Sequence, residues 1–457
     1  MMFGDRLEVT LALELAGPLH IGSGISEPRP ELQKPDMEAA PEVAQIQRDH
    51  HRNPIIPATT LKGALRAAAT LPASVLDRLL GEQGDAQKER GRIGRLWLET
   101  AVARSGMGVD HSGSTSGGGT IDRGFVKTGV QIDRASGTAE DRKLYHREMV
   151  GDGTVFDATA TLFVDGLDEA AAIDDLARLL APLTQEPGLS IGGQTRQGGG
   201  RLRLGDAVVK RRRIDPATLD LVHERTDLGR NHIELAQGHA VDGVPLTARL
   251  RLTCEGPFIS IRDKSEGDDG RETTKPLERG GKPILWPSSL LGALRTRAAW
   301  IAACAVLRKD DRFAPGREPH EVDRRNDAIR RVDEVAGLSS VERLFGVAGW
   351  RGLHGVASLT DDKASRPVRL PITSVTIDRF TGGALDQRLF TEETFVGAGF
   401  VVDLTLEARG EPVAADAALL DHLLQDIASN GLELGHGAAK GFGWFEVAVS
   451  RPDAEAA

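Results

Sequence analysis

The stretch Ile56-Pro57-Ala58-Thr59-Thr60-Leu61-Lys62-Gly63-Ala64-Leu65-Arg66 has a near copy far downstream, Leu285-Trp286-Pro287-Ser288-Ser289-Leu290-Leu291-Gly292-Ala293-Leu294-Arg295. In each, a proline and two hydroxyl residues precede leucines four apart, the pattern of a short strand running into a helix. Three further signatures echo in the same order. The alternating segment Leu7 to Leu15, ending in Gly17-Pro18, returns as Leu246 to Cys254, ending in Gly256-Pro257. Ile132-Asp133-Arg134, with Ser136-Gly137 and Ala139, returns as Ile377-Asp378-Arg379, with Thr381-Gly382 and Ala384. The glycine-rich run Gly192 to Gly200 returns as Gly435 to Gly443. The four spacings, about 239, 229, 245 and 243 residues, are nearly constant. The chain is therefore a tandem duplication of one domain of about 200 residues.

The length of 457 residues accommodates two such domains, and 40% hydrophobic with 27% charged residues is the balance of an ordinary globular protein. The two cysteines, Cys254 and Cys304, form no CxxC pair, which excludes a disulfide framework and a cysteine zinc site. The N-terminal residues show no basic region followed by an apolar core, and nowhere do 18 apolar residues run together. Neither a signal peptide nor a membrane partner is expected, and the expected location is cytoplasmic. A net charge of −10 argues against coating nucleic acid with the whole surface, while leaving room for a local basic groove. The densest basic cluster is Lys210-Arg211-Arg212-Arg213, with Arg201 and Arg203 before it; it reads as a solvated inter-domain segment.

These patterns set the boundaries: a first domain at 1–205, a linker with a short helix at 206–245, a second domain at 246–450, and a disordered tail at 451–457. Leu7 to Leu15 alternates as a half-buried strand. Residues 25–53 are rich in Pro, Glu, Asp and Gln, lack apolar periodicity, and read as a mobile loop. Thr59 and Thr60 mark the start of a helix, 154–167 alternates as a strand, and 170–183 is helical. Asp215-Pro216 begins the linker helix, and 304–339 is a charged, partly helical insertion. Strands that alternate, rather than running solidly apolar, favour antiparallel sheets with helices on one face. The fold class is thus α+β, two tandem ferredoxin-like (RRM-like) domains with long loop insertions. Gly22-Ser23-Gly24 opens no helix at the spacing a dinucleotide site requires.

Several segments have the chemistry to meet an anion. Thr59, Thr60 and Gly63 place hydroxyls and backbone N–H groups at a helix N-terminus, with Lys62 and Arg66 nearby; ordinary capping accounts for the hydroxyls equally well. Repeat two keeps Ser288, Ser289 and Arg295 but replaces Lys62 by Leu291. The paired glycine runs carry Arg196 and Lys440 and allow close backbone approach, either to phosphate or in a plain turn. The Ile-Asp-Arg turns head hairpins with apolar tips and flanking charges, suited to wedge against stacked bases or to pack on their own domain. Carboxylates before the junction helices, among them Asp36, Glu42, Asp269 and Glu272, are either solvated loop charge or ligands of a hydrated divalent cation. No nucleophile triad appears, and no histidine has HExxH spacing.

Taken together, the segments 17–24, 56–66, 132–139 and 192–200 and their echoes resemble the RAMP superfamily of CRISPR–Cas systems, and among its members the backbone (Csm/Cmr-type) subunits of type III effector complexes. The resemblance covers both repeats. It implies a ribonucleoprotein role in antiviral defence, with CRISPR RNA, target RNA and other type III effector subunits as partners. It implies guide-backbone contacts from Thr59, Thr60, Lys62, Arg66, Arg134, Arg196, Ser288, Ser289, Arg295, Arg379 and Lys440, and a thumb at each Ile-Asp-Arg hairpin that wedges into the guide–target duplex. In active members of the family an aspartate before the junction helix cuts target RNA with a divalent metal. Here Val43 holds that place in repeat one, beside Glu42, and Glu272 holds it in repeat two. A non-catalytic scaffold is the favoured reading. The alternative is a scaffold that is also an endoribonuclease using Mg2+ or Mn2+ through Asp36, Glu42, Asp269 or Glu272. A guide-processing nuclease is a third possibility, against which the pair of thumbs speaks.

Overall fold

The computed structural model of the chain describes residues 6–33, 38–82, 93–104, 124–132, 139–164, 169–185, 188–214, 221–226, 246–266, 272–307, 338–347, 352–406 and 414–451. The chain divides into two compact units. One comprises Met1–Thr195 with Gly199–Gly243, the other Arg196–Gly198 with Val244–Ala457.

In the first unit, β1 (Arg6–Leu15) buries Leu7, Val9, Leu11, Leu13 and Leu15 on one face, as its period-2 pattern dictates. It lies between β11 (Arg201–Ile214) and β9 (Val155–Phe163), antiparallel to both. Beyond β9 come β5 (Leu96–Leu98), β6 (Ala101–Ala103) and β4 (Ile55–Ile56); β10 (Leu189–Ser190) and β12 (Leu221–Thr226) pair with β11. Helices α1 (Ala58–Ala68), α2 (Ala73–Leu80) and α3 (Glu169–Leu180) supply Leu61, Leu65, Leu79, Leu80 and Leu176 to the same core. Removing one of these fully buried leucines costs about 2–5 kcal/mol. A separate sheet has the order β2 (Gly22–Pro28), β3 (Glu42–Ile46), β8 (Ala139–Val150), β7 (Gly124–Ile132).

The second unit repeats both sheets. Its main sheet runs β18 (His354–Asp361), β21 (Ala398–Leu406), β13 (Leu246–Cys254), β23 (Trp444–Ser450), β22 (Leu432–Glu433). Its second sheet runs β14 (Ile261–Glu266), β15 (Glu272–Pro276), β20 (Ala384–Val396), β19 (Val368–Ile377), and a small hairpin joins β16 (Glu278–Arg279) to β17 (Lys282–Pro283). Helices α4 (Pro287–Leu307), α5 (Ser340–Phe345) and α6 (Ala414–Asn430) cover its core. The segment Pro287–Val306 is long and apolar enough to cross a membrane, with a mean hydropathy of 1.2. It nonetheless buries Leu290, Leu291, Leu294, Ala298 and Ala302 in this core. Arg343 on α5 makes a buried bidentate pair with Asp416 on α6, at 2.8–3.0 Å, and α5 opens with a capping box of Ser339 and Glu342. Counting one strand–helix–strand–strand–helix–strand set in each unit, the central four strands of both main sheets follow the order 4-1-3-2, all antiparallel.

The units are thus α+β, with helices against one sheet face. Three expectations need correction. The stretch 25–53 is not a loop over its described residues; it contains β3, and β2 reaches into it. Its periodicity was invisible because β2 is exposed on both sides, so backbone pairing rather than burial holds it. The basic run Lys210 to Arg213 is not a linker but the end of β11, and 221–226 pairs with it as strand β12 instead of forming a helix. Thr59 and Thr60 are not caps: α1 follows Pro57, whose carbonyl accepts from both Thr60 and Leu61 N–H, with no side-chain cap. The glycine/serine tract at 112–120, most of the insertion at 304–339, the linker residues 215–220 and the tail beyond 451 lie outside the described residues.

Arg196, in the second unit, donates its guanidinium to the carbonyls of Leu344, Phe345 and His354. Beside it the His354 ring is fully buried against Phe345, and burial, reinforced by the Arg196 charge, pushes the imidazole down to about 4. An unfolded histidine titrates near 6.5, so the unfolded state binds the proton first. Stability contributed by the neutral ring is complete above pH 6.5 and lost as pH falls toward 4, by on the order of 3 kcal/mol. Urea unfolding of His354→Leu should lack this loss, whereas an unchanged pH slope between 6.5 and 4 would assign it to other groups.

Candidate nucleic-acid interface

Each unit is organised around a three-residue segment just after its first strand. In the first unit, Gly200 N–H donates to Pro18 carbonyl at 2.9 Å, Gly193 N–H donates to His20 carbonyl at 2.9 Å, and Leu19 exchanges both backbone hydrogen bonds with Val150. In the second, Gly443 donates to Pro257 at 2.7 Å, His436 to Ile259 at 2.9 Å, and Phe258 exchanges both bonds with Phe395. The same segment therefore holds the glycine-rich loop on one side and the end of the thumb hairpin on the other. Glycine is required for this approach. A Cβ on Gly192 (φ 75°) would sit 2.6 Å from His20 carbonyl oxygen, and one on Gly435 (φ 91°) 2.5 Å from that of Ile259.

The thumbs are tied down a second way. In each unit the outer hairpin strand pairs in parallel with the returning thumb strand: Val43 faces His146 and Ala44 faces Arg147, while Glu272 faces Phe390 and Thr274 faces Glu392. Two residues beyond His146 and Phe390 stand the equivalent buried glutamates, Glu148 and Glu392. The Glu148 carboxylate accepts from Arg48 at 2.7 Å and from Ile46 N–H at 3.1 Å, with Arg29 at 3.5 Å. The Glu392 carboxylate takes Lys440 on both oxygens at 2.9 Å, and Lys440 also lies over the Phe390 ring. Lys127, buried at the base of β7, reaches Gln194 of the glycine loop at 3.4 Å. Burial, with Arg147 adding to it, pushes the Lys127 ammonium down to about 8. Sequence reasoning missed these glutamates and Lys127, although recurrence of the two glutamates 244 residues apart was a usable signal.

The candidate contacts separate into three sets. Thr59 and Thr60 occupy the first turn of α1, which has no acidic residue, and Lys62 opens the second; Ser288 and Ser289 begin α4, with Arg295 two turns on. Other cations are already engaged within the protein: Arg66 with Asp77 at 3.0 Å and the Gly81 carbonyl, Arg196 with three carbonyls, and Lys440 with Glu392. Arg379 is exposed in the second thumb turn, whereas Arg134 lies outside the described residues. Of the carboxylates, Glu42 and Glu272 are exposed on β3 and β15, and Asp36 and Asp269 lie outside the described residues. Among the described residues no group of three or more His, Cys, Asp or Glu is placed to hold a metal ion.

The second thumb turn is described in full. Asp378 carboxylate accepts from Phe380 N–H at 2.7 Å, Asp378 N–H donates to Gly383 carbonyl at 2.8 Å, and Gly382 N–H donates to Asp378 carbonyl at 2.9 Å. The Asp and Gly of the recurring motif thus close the turn. The closed turn leaves Phe380 99% exposed at its tip.

Two stretches of the chain, 12–203 and 238–446, match the family model described as the RAMP superfamily. The chain is a member of that superfamily. Each match spans one copy of the repeated signatures, and membership of the RAMP superfamily points to a CRISPR-associated RNA-binding role. No curated protein sequence matches the chain significantly.

Two measurements test this arrangement. Glu148→Ala should cost about 2–3 kcal/mol in urea unfolding, because it takes the buried acceptor away from the Ile46 N–H and from the half-buried Arg48 and Arg29, and a loss below about 1 kcal/mol would remove Glu148 as an anchor. For Lys127 the unfolded ammonium titrates near 10.5 and the folded one near 8, so stability should rise with pH across that window. Lys127→Met should flatten the rise; a rise of equal size in the variant would show that another group causes it.

Proposed function

We propose that this RAMP protein is a CRISPR RNA-binding backbone subunit of a type III effector ribonucleoprotein. In this reading each unit is a ferredoxin-like domain, which the 4-1-3-2 strand order supports, and the protein works in the cytoplasm beside other effector subunits. The guide backbone passes the first turns of α1 and α4. There the positive helix end and Lys62 favour phosphate without reading sequence. Because Arg66 is held by Asp77 and the Gly81 carbonyl, Lys62, Thr59 and Thr60 carry most of this contact in the first unit.

The observation that carries the reading is Phe380. A fully exposed phenylalanine on a hydrogen-bonded hairpin turn is costly to leave in water, and its ring suits stacking on a displaced base. The second thumb then wedges into the guide–target duplex, with Arg379 alongside for phosphate. In the assembled complex, 2-aminopurine placed at successive target positions should brighten at the one opened by this thumb. Phe380→Ala should abolish that brightening and weaken target binding about 5- to 100-fold. Lys62→Ala should instead reduce guide retention and its salt dependence. An unaltered fluorescence pattern in Phe380→Ala would remove the wedge.

A scaffold role is favoured over cleavage in the first repeat because Val43, an apolar and fully buried residue, stands in register with the thumb where the family resemblance implies an aspartate. The endoribonuclease alternative rests on Asp36, Glu42, Asp269 or Glu272 acting with Mg2+ or Mn2+. Incubating the complex with complementary RNA and either metal should leave the target intact opposite the first unit. A cut lost in Asp36→Ala or Asp269→Ala would instead make that repeat a nuclease.

A further inference from the structure

Among the described residues, the main sheet of the first unit has helices on one face only, and its other face has a composition that none of the contacts above uses. Parity places Arg6, Glu8 and Thr10 of β1, Thr159, Thr161 and Phe163 of β9, Trp97 of β5, and Lys210 and Arg212 of β11 on that side. The assignment is checked by burial, since Leu7, Val9, Leu96, Leu162 and Val209, of opposite parity, all lie in the core. Trp97 and Phe163 meet edge to face at 4.8 Å between ring centres, and the indole N–H donates to Gly94 carbonyl at 3.0 Å, which fixes the ring. Trp97 is nevertheless 47% exposed.

Basic residues flank this aromatic pair. Register sets Phe163 opposite Arg6, and Arg6 opposite Arg212; Trp97 faces Thr161, which faces Glu8, which faces Lys210. Glu8 is engaged by Arg212 at 2.5 Å, while Arg6 and Lys210 have no ion-pair partner among the described residues. The row therefore carries surplus positive charge beside a stacking platform, lined by threonine hydroxyls. The equivalent face of the second unit is different: Arg249 is neutralised by Asp403, and Arg251 lies near Asp362. Fixed aromatic rings on an open antiparallel sheet with flanking cations are the arrangement by which four-stranded sheets stack bases of single-stranded RNA, and hydroxyls can engage the 2′-OH.

We propose that the open sheet face of the first unit is a second single-stranded RNA site, separate from the junction helices and thumbs. Trp97 and Phe163 stack on bases there, and Arg6, Lys210 and Arg212 meet the phosphates. The inference does not rest on the type III reading, because it concerns a different surface and needs no guide.

The test uses the full chain and a 12-nucleotide oligouridine carrying 4-thiouridine, cross-linked by light and mapped by mass spectrometry. Cross-links are expected at peptides containing Trp97 or Phe163. Trp97→Ala should remove them and weaken binding of that oligonucleotide about 5- to 100-fold, while Trp97→Phe retains most of the affinity. Lys210→Glu should weaken binding and reduce its salt dependence, and Lys62→Ala should leave the sheet cross-links in place. Oligothymidine of the same length should bind more weakly. Wild-type cross-links confined to the thumbs or junction helices would overturn the proposal, as would equal binding by Trp97→Ala. A Trp97→Ala variant that altered only the oligomeric state would mark the face as a protein interface and equally overturn it.

Discussion

The structure depends on the short segment after each first strand, Pro18-Leu19-His20 and Pro257-Phe258-Ile259. Through backbone hydrogen bonds alone it joins the glycine-rich loop to the base of the thumb, in the same way in both units. Since the contacts are between main chains, they tolerate the change from Leu19 to Phe258 but not a side chain on Gly192 or Gly435. The glycines that resembled a phosphate cradle therefore have a structural cause: they let one strand end close on another. Whatever RNA lies beside the loop meets a surface whose shape is set by that closure.

The two repeats share this frame but differ in how its charges are balanced. Glu148 collects two guanidinium groups and a backbone N–H from the segment before α1, whereas Glu392 collects the lysine of the glycine loop. In the first unit the carboxylate thus stabilises the hairpin next to the thumb, and in the second it withdraws Lys440 from the surface charge. Removing either carboxylate leaves a cation without its counter-charge, which makes them positioning residues with unequal consequences.

How much of this was legible in the sequence depended on whether side chains or backbone carried the information. The alternation of Leu7 to Leu15 and the leucine spacing of Leu61 and Leu65 follow from burial, so strand and helix could be read directly. The four echoes gave the duplication, which the two RAMP matches support independently. By contrast, β2 is exposed on both faces and β12 pairs with a run of arginines; their pairing is written in main-chain hydrogen bonds, which leave no pattern of side chains. Long-range partners were equally hidden: nothing local tells that Arg66 turns to Asp77 while Lys62 does not, or that Arg196 is held by carbonyls of residues some 150 positions later.

The closing segment has a consequence for how the protein is made. In each repeat its partners come from opposite ends, residues 18–20 with 193 and 200, and 257–259 with 436 and 443. A chain emerging from the ribosome cannot complete the first closure until nearly 200 residues have been synthesised, and loop closure over that distance is slow relative to local helix formation. During that interval the apolar face of β1 lacks β11, its neighbour on one side, and the thumb base lacks the glycine loop. Each repeat thus passes through a period of exposed strand edge during translation, ended only by its last strand. A truncation just short of β11 or β23 should be prone to aggregate, although most of its helices would be intact.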